Sequence, residues 1–197
     1  MTTDPNDPPL LRHLERHLGT MEGGISGAAT GLPISIGLFE QLPLRGSVAY
    51  ATLGLSHHHF VGAGRDGQDL RMELLAMLNA GPRARLFPAL VVDVASEMLK
   101  SHRALVRGDV IGPRGPLWED SRLEALYVTA PVYFDDSFAA VALGNGTDCV
   151  IAWLVPISVR EAAFVGTHGW RRFEQLLAAE NPDLLDPDRE EMALICG

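Results

Sequence analysis

Three consecutive histidines, His57-His58-His59, are the residues of this chain whose type and spacing come closest to doing chemistry. If the strand before them runs on, His57 and His59 alternate onto one side of it and can offer two imidazoles to one metal ion. A catalytic zinc wants three protein ligands and an open position, so Asp66, Asp69, His102 or His168 would have to complete the set. No H-E-x-x-H or related signature joins these residues, and no carboxylate that would orient a ligating imidazole can be picked out. The competing reading makes the histidines a polar turn beside a buried strand end. It leaves a metal-dependent hydrolase on His57 and His59 as the alternative and expects neither metal nor cofactor.

Nucleophilic chemistry has less support. The chain has no G-x-S-x-G elbow, and neither Cys149 nor Cys196 has a histidine near it in sequence. The two cysteines fit no metal-ligand pattern, and Cys149, set in an apolar run, reads as a buried free thiol. Glu161 has the chemistry of a general acid or base. Its place three residues after Ser158 gives it another task, closing an S-x-x-E capping box at a helix start. Contact chemistry fits better. Arg71 and Glu73 fall on one side of an alternating strand and can form a polar contact face. Tyr133-Phe134-Asp135-Asp136 sets aromatics beside carboxylates, a combination suited to a basic protein partner, with Phe134 tucked inward as the plainer reading.

The elements that must position these groups follow from periodicity. Residues 1–9 are rich in Pro and Asp and read as disordered. Leu11, Leu14 and Leu18 predict a short amphipathic helix over Leu10 to Leu18. Gly19 to Gly31 reads as a glycine-rich loop that matches no phosphate cradle. Strands are expected over Ile34–Glu40 and Ser47–Leu55, and again over Asp69–Met77 after the Gly62–Gly67 loop. Ala84 to His102 predicts a helix whose stripe is Phe87, Val91, Val94 and Met98. Gly108 to Pro116 reads as loop and Glu124–Thr129 as strand. Phe138–Leu143 and Thr147–Val155 flank Gly144-Asn145-Gly146, a strong hairpin signal. The continuous apolar run from Cys149 to Val155 marks a central strand covered on both faces. A helix follows Ser158 and ends at Gly166, with Thr167 capping a second that carries Trp170, Phe173 and Leu177 and closes at Asn181-Pro182. The resulting expectation is a single α+β domain over residues 10–182, with a mixed or antiparallel sheet flanked by helices, and an acidic surface tail over 183–197.

The chain has 197 residues and 47% hydrophobic content, enough to bury one core without staples. Its net charge of −9 opposes nucleic-acid binding, which needs a basic face, and suits a basic protein partner. The N-terminus shows no basic and apolar leader, and no run approaches a bilayer span. A cytoplasmic protein with no membrane or nucleic-acid partner is expected, and its oligomeric state stays open.

The order of segments adds a family resemblance. Ala51-Thr-Leu-Gly-Leu-Ser56, Arg71-Met-Glu-Leu-Leu75, a long helix, a Gly/Pro loop before a strand and Pro131, then Ile151-Ala-Trp-Leu-Val-Pro-Ile-Ser158 with Glu161 and Gly169 follow one another. This succession resembles the suppressor-of-fused domain in its bacterial form over roughly residues 30–180, through its T-L-G-[LM]-S, R-x-E-L and L-x-P-I elements. The triple histidine and the Gly108-Asp-Val-Ile stretch, where relatives often carry Gly-His, depart from it. The resemblance implies a non-enzymatic binding module. Similar animal domains sequester a transcription factor in Hedgehog signalling, partly by strand addition at an open sheet edge. Many bacterial versions look like immunity proteins that neutralise toxins of polymorphic toxin systems, so a basic toxin domain is the implied partner. The chain is expected to lack the second domain of the animal protein, so direct transfer of that ligand is not implied.

Overall fold

The computed structural model describes residues 8–40, 42–62, 69–144 and 148–194. The Asn145-Gly146 turn, Asp66, Cys196 and most of the expected disordered N-terminus lie outside them, as do residues 195–197 of the expected tail.

Where apolar residues recur at helical spacing, the chain is helical. Helix α1 (Pro9–Leu18) carries a proline in its first turn and buries Leu10, Leu14 and Leu18 along one stripe. Each of those leucines contributes about 1.5–3 kcal/mol through burial. Strand β1 (Met21–Ile25) and the short helix α2 (Gly27–Thr30) occupy the stretch expected to be loop. The expectation fails there because pairing with a neighbour, rather than local propensity, holds Met21–Ile25 extended.

The remaining strands are β2 (Ser35–Phe39), β3 (Ser47–Leu53), β4 (Phe60–Val61), β5 (Asp69–Asn79), β6 (Val110–Ile111), β7 (Leu123–Thr129), β8 (Ala140–Ala142) and β9 (Asp148–Ser158). Among the described residues they form one sheet of order β1-β2-β3-β5-β9-β7-β6, with β4 added to β5 and β8 to β9. The β5–β9 pair is parallel and the others are antiparallel, so the sheet is mixed. Helix α3 (Phe87–Ser101), entered through a 3₁₀ turn at Ala84–Leu86, lies between β5 and β6 in the chain.

The sheet is covered on both faces. On one side Leu10, Leu14 and Leu18 of α1, with Phe164 and Phe173 of α4 (Val159–His168) and α5 (Trp170–Glu180), pack on Leu75, Met77, Trp153 and Val155. On the other, Phe87, Val91, Val94 and Met98 of α3 cover Met72, Leu74, Ala76 and Leu154. The stripe expected on α3 is therefore the buried one. Strand β9 is central, as its apolar run requires, and continues through Pro156 because Tyr127 and Leu126 of β7 still pair with it there.

Several boundaries differ from expectation for local reasons. Helix α4 passes through Gly166 to His168. Thr167 is inside it and its hydroxyl donates to the Ala163 carbonyl at 2.9 Å, so it caps nothing. Gly169, at φ 79°, divides α4 from α5. The 183–194 segment is no free surface tail. Leu184, Leu185 and Met192 are buried in the core, and the Asn79 amide N–H donates to the Leu185 carbonyl at 2.7 Å.

Candidate functional site

The sequence elements that mark the chain meet at one buried carboxylate. Thr52 is the next-to-last residue of β3, and Gly54 takes φ 105°, a left-handed conformation natural to glycine. That bend folds the Thr-Leu-Gly-Leu-Ser segment over the side chain of Glu73 on β5. Thr52 Oγ1 donates to Glu73 Oε2 at 2.5 Å, and the backbone N–H groups of Gly54, Leu55 and Ser56 donate to the same carboxyl at 3.0, 3.3 and 3.0 Å. Thr52 Oγ1 in turn accepts from the Leu74 N–H at 2.8 Å. Burial raises the Glu73 pKa, while the donors from Thr52, Ser56 and Gly54 oppose that shift.

This corrects the expectation for Glu73. It shares a strand face with Arg71 as the alternation predicts, but that face carries Leu75 and Met77 into a core, and Glu73 is fully buried. A side chain with no exposed surface makes no partner contact. Arg71 is half-buried and engaged within the chain. Its Nη1 donates to the Ser56 carbonyl at 2.7 Å and its Nη2 to His59 Nε2 at 2.8 Å.

That last bond bears on the histidine run. Leu55–His57 is a 3₁₀ turn, so His57 and His59 do not lie on one face of a continuing strand. His59 spends its Nε2 lone pair on an arginine. His57 and His59 are exposed and His58 half-buried, the surface turn of the competing reading. Among the described residues, no three His, Cys, Asp or Glu side chains converge as a metal site. Cys149 is a buried free thiol, and burial pushes its pKa up to about 12.

The Tyr133–Asp136 loop divides its residues between anchoring and display. The Tyr133 ring sits 5.2 Å from that of Trp153, and its hydroxyl accepts the Leu184 N–H at 3.2 Å. Phe134 packs edge-on to Phe138 at 4.7 Å, the inward placement of the plainer reading. Asp135 and Asp136 are exposed. A second open feature is the outer edge of β1, which pairs with β2 alone among the described residues and leaves Ile25 partly exposed.

Two further polar clusters fix the elements around these surfaces. Glu161 closes the capping box with Ser158, as expected, and also receives Arg189, whose Nη1 and Nη2 donate to its two oxygens at 2.7 and 2.5 Å. Arg189 Nη2 also donates to the Pro156 carbonyl at 3.0 Å, pinning the C-terminal segment to the end of β9. On α5, Glu174 accepts from Tyr127 Oη at 3.0 Å, Thr129 Oγ1 at 3.1 Å and Arg107 Nε at 2.8 Å. Beside it, Gly108 passes so close to Trp170 that a Cβ would lie 2.6 Å from the tryptophan side chain. Sequence reading missed Arg189 and Glu174 because their partners are remote in the chain. For Glu161, the capping pattern was visible and the arginine was not.

The comparisons with known proteins agree with this architecture. The family described as suppressor of fused protein (SUFU) matches residues 31–190. A SUFU homologue from Neisseria gonorrhoeae FA 1090 has a similar structure, with TM-score 0.74 and 16% identity over 95% of this chain and 97% of that one. A structure described as the Sufu–Fu complex aligns with TM-score 0.66 and 15% identity over 94% of this chain and 93% of the other. Drosophila Suppressor of Fused gives TM-score 0.66 and 16% identity over 97% of this chain, which spans 54% of that protein. No curated protein matches the chain in sequence.

Proposed function

This chain belongs to the suppressor of fused family, and we propose that it works as a non-enzymatic module that binds a protein partner one to one and occludes it. The fold it shares with a chain of the Sufu–Fu complex supports a protein-interaction role. The observation that carries the reading is the acidic loop. Tyr133 and Phe134 are fixed in the fold, which holds Asp135 and Asp136 outward without ordering cost at the moment of binding. With a net charge of −9, such a surface attracts a basic partner and speeds the encounter. The edge of β1, unpaired among the described residues, supplies backbone groups for strand addition.

A basic toxin domain neutralised in the cytoplasm is the partner class this reading favours. Arg71 contributes by holding the Ser56–His59 turn rather than by direct contact. No helix among the described residues is long and apolar enough to cross a membrane. The test is co-expression with a toxin encoded by the neighbouring gene. Survival of the cells together with a one-to-one complex in native mass spectrometry is expected. Undiminished killing with no complex would sink the proposal.

A further inference from the structure

In a chain with so large an acidic excess, one face of α1 is cationic and meets no neutralising carboxylate among the described residues. Arg12, His13, Arg16 and His17 recur there at one-and-four spacing, which places them on a common side of the helix. They line a hollow of about 420 Å³, closed by Ser137 and by Ala140, Val141 and Ala142 of β8. Among the described residues six arginines, Arg83, Arg107, Arg114, Arg122, Arg160 and Arg189, pair with carboxylates, while others such as Arg45, Arg85 and Arg103 do not. Among the described residues no carboxylate pairs with Arg12 or Arg16, and Arg12 Nε is shut off from solvent with no acceptor. A buried donor left without an acceptor is costly and calls for an explanation.

Both histidine rings are fixed in place. His13 is 8% exposed and its Nε2 lies 3.1 Å from the Phe138 carbonyl, which fixes the ring at the base of the hollow. His17 Nδ1 lies 3.0 Å from the His13 carbonyl, so Nδ1 is the donor there and the ring is fixed against its own helix. The His17 ring is stacked on Phe138 with centroids 4.8 Å apart. Burial lowers the His13 pKa, and the charges of His17 and Arg16 push in the same direction against the Phe138 hydrogen bond. Glu15 is turned to another task, accepting the Met21 N–H at 3.0 Å, and the exposed Asp135 and Asp136 directly precede Ser137 at the 3₁₀ turn that borders the hollow.

We propose that this hollow is a binding site for a tetrahedral oxyanion, either free phosphate or the terminal phosphate of a small monoester. Arg12 and Arg16 would supply the planar guanidinium donors that match such an ion, with the Ser137 hydroxyl beside them. The hollow adjoins the acidic loop through Ser137, but the proposal does not depend on the binding function assigned to that loop.

The test is calorimetric titration of the full-length protein with inorganic phosphate and, in a second arm, with O-phosphoserine, at constant ionic strength against chloride. Backbone amide shifts report the location. Saturable binding with a Kd on the order of 1 mM or tighter is expected, with shifts confined to α1, Ser137 and β8. Tighter binding of O-phosphoserine assigns a monoester, and equal or tighter binding of phosphate assigns the free ion. Arg16→Ala, at an exposed position where folding is not at stake, should weaken binding about tenfold. Arg12→Ala/Arg16→Ala should abolish it. A response equal to that of chloride, shifts elsewhere, or undiminished affinity in Arg16→Ala would overturn the proposal.

Discussion

The Thr52 hydroxyl donates to the Glu73 carboxylate at 2.5 Å, joining two sequence elements 21 residues apart. Thr-Leu-Gly-Leu-Ser and Arg-x-Glu-Leu are thus one structural unit. The first is bent around the acid carried by the second, and three consecutive backbone N–H groups complete the shell. The segment is a device for terminating β3 on a buried carboxyl group. It places the histidine turn at the surface and leaves those residues without a shared metal geometry.

Each carboxyl oxygen in that unit has its own donors. Glu73→Gln converts one oxygen into an amide NH₂, which faces N–H or O–H donors it cannot accept from. The expected loss is about 1–3 kcal/mol, measured by urea unfolding. Thr52→Val should cost a similar amount. The two losses should combine to clearly less than their sum, since both remove the same bond. Additive losses would mean that the Thr52–Glu73 bond contributes nothing.

Glu73 also sets a pH dependence. Burial raises its folded pKa above the unfolded value, so the native state holds the proton more tightly than the unfolded chain does. The stability it contributes is complete below the ordinary glutamate range and declines as pH rises through the folded pKa. Unfolding free energies of the parent protein and Glu73→Gln between about pH 4 and pH 8 should therefore converge as pH rises, because only the parent loses this contribution. A gap that widens with pH would contradict the raised value.

How much of this was legible in the sequence depends on whether the signal is local. Leu14 and Leu18, the α3 stripe, the Ser158–Glu161 box and the apolar β9 run each declare themselves within one element, and the structure has them all. Glu73 was misplaced because alternation gives the face and not what covers it. Both faces of β5 are covered, so polar alternation there marks a satisfied buried group and not solvent. The edge strand Met21–Ile25 was hidden by its own glycines. The docked 183–194 segment was hidden by its acidic composition, since Leu184, Leu185 and Met192 are too widely spaced to make a periodic pattern.

Arg189 is the link that holds that segment. It is 5% exposed and meets Glu161, which is fully buried. Truncating one member leaves the other charge buried without its counterpart, so Arg189→Ala should cost about 3–5 kcal/mol. Amide exchange should also accelerate at Met192, whose N–H donates to Glu161 Oε1 at 3.3 Å. Unchanged stability and protection would mean the segment is held by its apolar residues alone.

Buried thiols lack the thiolate needed for reaction. With its pKa pushed up to about 12, Cys149 should resist iodoacetamide at about pH 8 in the native protein and react when the chain is unfolded. Peptide mass mapping keeps its modification distinct from that of Cys196. Rapid native labelling of Cys149 would show that β9 opens locally.

The acidic loop yields the prediction closest to function. Asp135 and Asp136 are exposed, and neither makes an ion pair among the described residues. Asp135→Lys/Asp136→Lys should therefore change folding stability by no more than about 0.5 kcal/mol per site. Its effect should fall on encounter with a basic partner. The association rate should drop on the order of tenfold at low salt, and the difference should shrink as salt screens the surface charges. Tyr133→Ala should act differently, because it removes the ring packed on Trp153 and the acceptor for the Leu184 N–H. It loosens the mounting and should raise the dissociation rate and lower the melting temperature together. If charge reversal left the association rate and its salt dependence unchanged, the partner would have to engage another surface, and the open edge of β1 would be the next to mutate.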